Sequence, residues 1–176
     1  MFALVAVLSL SGCETTYYSA MEKVGIHKRD ILVDRIDEAR DAQQQGQQQF
    51  KDALEEFRAV TEYQGGDLAE LYDRLNAEYK DSMSAAENIS DRIESVENVA
   101  EALFDEWESE LDQYSSANLR RDSAQKLKDT KSRYKTLMST MRRAERSIDP
   151  VMNTLRDNVL YLKHNLNARA VNALKS

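Results

Sequence analysis

The sequence predicts an all-α protein: an elongated antiparallel three-helix bundle or coiled coil that follows a cleaved amino-terminal leader. Three observations carry this prediction. Apolar residues recur at alternating three- and four-residue steps from about Tyr18 onward, the pattern of helices that pack side by side. Five glycines and one proline serve 176 residues, too few for a fold built of turns and strands. Hydrophobic residues make up 41% of the chain and charged residues 31%, which is less apolar material than a compact globule of this length carries and suits a thin seam.

The leader comes first. Residues 2–10, FALVAVLSL, have the length of a secretion-signal core and fall well short of the roughly 20 residues that span a bilayer. Leu10, Ser11, Gly12 and Cys13 then follow the Leu-small-Gly-Cys order of a bacterial lipobox, where small residues admit the signal peptidase and the thiol takes a diacylglyceryl group. Cys13, the one cysteine, is therefore expected to carry palmitate-type acyl chains and to become the first residue after cleavage. The competing reading makes residues 1–10 a buried apolar segment and Cys13 a small core residue. No Lys or Arg precedes the apolar run, so either the start lies upstream of Met1 or the leader is atypical. Glu14 stands where Asp would retain a lipoprotein in the inner membrane, and the outer membrane facing the periplasm is the expected location.

This gives residues 1–12 as signal peptide, 13–20 as lipidated terminus and tether, and 21–176 as one domain with helices over about 21–64, 67–115 and 118–172. The first run reads Leu32, Ile36, Ala39, Gln43, Gly46, Phe50, Ala53, Phe57, Val60. It stops at Gly65 and Gly66, and Asp67 with Glu70 looks like a capping pair for the next helix. The second reads Leu68, Tyr72, Leu75, Tyr79, Ser82, Ala86, Ile89, Ile93, Val96, Ala100, Leu103, Trp107, with Tyr114 closing it. At the polar break YSSAN, Ser116 or Asn118 can cap the third helix. The third run spans Leu127, Thr130, Tyr134, Leu137, Met141, Ala144, Ile148, Val151, Leu155, Val159, Leu162 and Leu166. Its apolar phase passes Pro150 without a slip, so one helix with a kink there is expected. The stretch DAQQQGQQQF is the weak place, because Gln43 and Gly46 fall on the seam. It is a flexible waist, a close approach of another helix, or a tolerated polar turn.

Charge agrees with the pairing of helices. Residues 67–118 hold 3 Lys and Arg against 15 Asp and Glu, whereas residues 119–176 hold 14 against 5. An acidic second helix beside a basic third selects partner and register more than it adds stability.

Chemistry is sparse. His27 and His164 would lie at opposite ends of the rod and cannot share an ion, so no metal and no other cofactor is expected. Gly65–Gly66 lacks the Gly-Lys-Ser/Thr that completes a nucleotide loop, and no nucleic-acid partner is expected. The carboxylates of the second helix would need a concave, partly dry pocket to act as an acid and base pair. His27, Lys28, Arg29, Arg120 and Arg121 gather at the tethered end, where they either meet lipid phosphates or pair with Glu106, Glu108, Glu110 and Asp112. Tyr72, Tyr79, Trp107, Tyr114 and Tyr134 fall on or beside the seams and are expected to pack there.

The segments YYSAMEKVGIHKRDILVDRIDEARDAQ and QGGDLAELYDRLNAEY resemble a family of proteobacterial lipoproteins catalogued as a domain of unknown function, with GIHKRDIL the most specific mark. The likeness covers Cys13 to about Ala173. It implies a helical envelope protein, supplies no activity, and carries over no functional residue except Cys13. The expected function is a non-enzymatic, membrane-anchored interaction or scaffold module with an unknown envelope protein as partner and self-association as a further option. The alternatives are a membrane-binding or membrane-shaping helical bundle and an accessory envelope enzyme using helix-two carboxylates.

Overall fold

The structure, a computed structural model, describes residues 17, 18, 21, 25–61 and 67–173. The leader, Cys13 and the Gly65–Gly66 turn lie outside the described residues. Among the described residues four long helices follow one another: α1 Lys28–Thr61, α2 Leu68–Glu110, α3 Ala117–Arg146 and α4 Asp149–Ala173, with a 3-10 turn over Leu111–Gln113. Among the described residues there is no strand. At 43 residues, α2 is about 65 Å long and sets the length of the rod.

Local chemistry sets the helix ends. Gly25 takes φ 86°, a left-handed conformation that favours glycine, and the Ile26 N–H reaches back to the Met21 carbonyl at 3.0 Å, closing a helix terminus there. The first long helix therefore starts at Lys28 and not near residue 21 as the periodicity suggested. The Asp67 carboxylate accepts from the Ala69 N–H at 2.8 Å and caps α2. Ser116 caps α3 by accepting from Leu119, and Asn118 lies within that helix.

The third run differs from expectation. It is two helices, with Ser147 and Ile148 between them. Pro150 has no N–H to offer the Arg146 carbonyl. The chain tightens ahead of it: Ile148 donates to the Glu145 carbonyl three residues back at 2.9 Å, and the Ser147 hydroxyl donates to Ala144 O at 2.5 Å. Asp149 and Pro150 then open α4, a sequence suited to a helix start.

Ion pairs and hydrogen bonds fix the topology. Lys28 meets Glu106, Arg92 meets Glu38, Gln49 meets Glu78 and Arg74 meets Glu56, so α1 and α2 run antiparallel. Trp107 Nε1 donates to Ser123 Oγ at 2.8 Å, and Lys131 and Arg142 bridge to Glu108 and Glu97, so α3 returns antiparallel to α2. α4 continues in that direction and packs on α2 and α1. The core is a seam in two clusters. One contains Leu32, Ile93, Val96, Ala100, Phe104 and Leu127 at the α1 amino-terminal end. The other joins Phe57, Leu71, Leu75, Leu155 and Val159 at the far end.

Candidate interaction surface

At the amino-terminal end of α1, the basic group foreseen from the sequence is assembled but partly neutralised. Lys28 from α1 donates to Glu106 of α2 at 3.1 Å with its side chain only 11% exposed. Arg120 bridges to Asp112. These pairs favour the internal salt-bridge reading for Lys28 and Arg120. Arg29 donates to its exposed neighbour Asp30, Arg121 donates to Asn118, and His27 is exposed with its carbonyl accepting from the Asp30 and Ile31 N–H groups. Cys13, the remaining predicted site residue, is outside the described residues.

Aromatic residues brace the same end. Tyr134 meets Phe104 edge to face with centroids 5.3 Å apart, and the Lys131 ammonium lies 5.5 Å over the Phe104 ring. Burial, reinforced by Glu97 and only partly offset by Arg142, pushes the Tyr134 phenol up to about 12. Tyr114 departs from expectation: at 42% exposure it stands outside the seam.

The polar stretch of α1 is where another helix comes close. A Cβ built on Gly46 would sit 2.5 Å from Ile89 Cδ1 of α2. Glycine there permits a contact that alanine would crowd. Gln43, at the neighbouring seam position, uses its amide to donate to the Met141 carbonyl of α3 at 3.1 Å. On α2, Ser82 is fully buried and its hydroxyl has no partner among the described residues. Where α3 ends, an open groove of about 430 Å³ is left, bordered by Gln43, Gln47 and Phe50 of α1 and by Glu145, Ile148 and Val151 across the break. Gly46 and Pro150 were the sequence signals near this place; that the polar stretch of α1 and the α3–α4 break border one groove was not readable from either.

Some carboxylates elsewhere are held by cations. The guanidinium of Arg35 beside Glu38, joined by Arg92, keeps the Glu38 carboxyl below its ordinary range. Arg142 bonds both Glu97 and Glu145, and its guanidinium is held more firmly protonated, chiefly by Glu97. No acid of α2 lines the waist groove. Among the described residues no group of three or more His, Cys, Asp or Glu could hold a metal ion, and no helix is long and apolar enough to cross a membrane.

The family profile described as "Protein of unknown function (DUF2959)" matches residues 17–176. The chain belongs to this family. The DUF2959 match takes in all four helices and begins after Cys13. Neither a curated protein nor a solved structure matches the chain.

Proposed function

We propose that this DUF2959 protein is a non-enzymatic interaction or scaffold module of the cell envelope, held to a membrane through acyl chains on Cys13 and reaching from it as a helical rod. The observation that carries the reading is the order Leu10-Ser11-Gly12-Cys13 immediately ahead of a helical domain matched from residue 17. Each buried methylene of an acyl chain contributes about 0.8 kcal/mol, so two or three chains hold the protein far more firmly than one. The helical part supports the second half of the reading: its open groove offers a surface for another molecule. Glu14 after the cysteine favours the outer membrane facing the periplasm. Metabolic labelling with palmitate tests the anchor. Label is expected on the wild-type protein and is lost in Cys13→Ser; a labelled Cys13→Ser chain, or an unlabelled wild-type one, overturns it.

A second reading, surface binding to anionic lipid, is favoured by Arg29 and Arg121, which are exposed near the same end of the rod. A cation near such a surface contributes about 1 kcal/mol. Binding to phosphatidylglycerol vesicles that weakens with salt and falls in an Arg29→Glu/Arg121→Glu chain supports this reading.

A further inference from the structure

We infer that a second copy of this chain docks on the face shared by α2 and α3, the two rods lying parallel so that each copy's acidic stripe meets the other's basic stripe. The inference deepens the proposed interaction module by naming its partner, and it rests on that reading while standing apart from the lipid anchor.

Within one chain, Glu97–Arg142 and Glu108–Lys131 bridge α2 to α3. The equal spacing of these bridges on the two helices, 97 to 108 and 131 to 142, fixes an antiparallel register. Residues three or four positions away on a helix are surface neighbours, and just outside the bridges lie further charges of one sign on each helix. On α2 these are Glu94, Glu101 and Asp105; on α3 they are Lys128, Lys135 and Arg146. All six are exposed, and none takes part in an ion pair among the described residues. One face of the rod therefore carries an acidic stripe beside a basic stripe at the same height.

Such a face is complementary to itself under one two-fold operation only. A two-fold axis along the rod places α2 of one copy opposite α3 of the other, at the same level and with helices antiparallel, so that acid meets base twice. An axis across the rod places α2 on α2 and sets like charges together, which costs several kcal/mol in closely packed interfaces. The charge pattern thus selects the parallel dimer, the arrangement that also leaves both amino termini at one end. The stripe spans about 30 Å of two helices each roughly 10 Å wide, so each copy would cover roughly 600 Å², below the ~800 Å² of a standard stable complex. The dimer is accordingly weak, polar and sensitive to salt.

The test uses the full chain with Cys13→Ser, so that neither lipid nor the native thiol contributes. Sedimentation equilibrium is expected to show dimers at low ionic strength that dissociate near 0.5 M salt, where the screening length falls to roughly 4 Å. The triple changes Glu94→Lys/Glu101→Lys/Asp105→Lys and Lys128→Glu/Lys135→Glu/Arg146→Glu should each weaken dimerisation by at least about tenfold. An equimolar mixture of the two triple variants should dimerise again, a rescue that a misfolded variant cannot give; circular dichroism checks helicity of each. Orientation is read by mixing an Asp105→Cys chain with a Lys135→Cys chain, which should form an intermolecular disulfide. A monomeric Cys13→Ser chain at low salt, triple variants that dimerise as well as the parent, no rescue on mixing, or no disulfide overturns the inference. So does a monomer that instead sediments with phosphatidylglycerol vesicles through Lys128, Lys135 and Arg146. Palmitate labelling is scored separately, so loss of the anchor and loss of the dimer are distinct results.

Discussion

Around Val96, Ala100, Phe104 and Leu127 the seam between helices is filled by apolar side chains, and Trp107 and Tyr134 close its edge. At the waist the equivalent positions hold Gln43, Gly46 and Ser82, the returning helix is broken, and an open groove remains. Both regions keep the same helical phase. The difference teaches that phase alone specifies which faces meet, while side-chain volume at each meeting decides how near the backbones come and what surface is left open.

Ile93 and Ser82 both lie on the seam face of α2, fully buried, and substituting each separates the two regions most sharply. Ile93→Ala removes apolar contacts from the filled part and should destabilise the protein by about 2–5 kcal/mol. Ser82→Ala removes a buried hydroxyl with no partner among the described residues, and should stabilise it by about 1 kcal/mol. Urea midpoints measure both. A destabilising Ser82→Ala would mean that the hydroxyl is satisfied and that the waist is better packed than its groove implies.

Gly46→Ala probes the waist contact directly. Better helix propensity offers about 1 kcal/mol, but the added methyl meets Ile89 Cδ1, and overpacking costs about 1–3 kcal/mol. A net loss of about 1 kcal/mol is expected. Ile89→Val removes the offending Cδ1, so the double variant should lose less than the two single changes predict. Strict additivity would show that the helices part freely and that the close approach does not constrain the waist.

These contrasts also show what could be read from residues. The three runs located the principal faces, and the sign difference between residues 67–118 and 119–176 anticipated Glu97–Arg142 and Glu108–Lys131. A single stripe per helix missed Leu71, Val99, Phe104 and Met138, all buried. As the middle element, α2 is covered by α1 on one side and by α3 and α4 on the other, so its apolar face must be wider than a two-position seam. The break before Pro150 was read as a kink in one helix because hydrophobic phase records where side chains point and not which carbonyls lack a donor. For Lys28 the sequence offered acids and lipid phosphates as partners, with the acids ahead because they are abundant at that level; Glu106 reaches it across the α1–α2 pair.

The gentlest probe acts on the filled end alone and does so through pH. Tyr134 has an ordinary phenol value of 10.0 that burial, with help from Glu97 and Glu101, raises to about 12 in the folded protein. The folded state therefore favours the neutral phenol. Its contribution is complete below pH 10, declines as the unfolded chain begins to ionise, and is lost as pH rises through about 12. Tyr134→Phe cannot ionise, so the difference in urea midpoint between it and wild type should shift in favour of the variant from pH 10 to pH 11.5. Because Tyr134 packs on Phe104, hydrogen exchange of α3 near residue 134 should quicken over the same interval before that of α4 around Leu155 and Val159, which pack in the other cluster. Equal pH dependence in the two proteins would show that the phenol is already solvated, and would remove the filled end's claim to be the drier of the two regions.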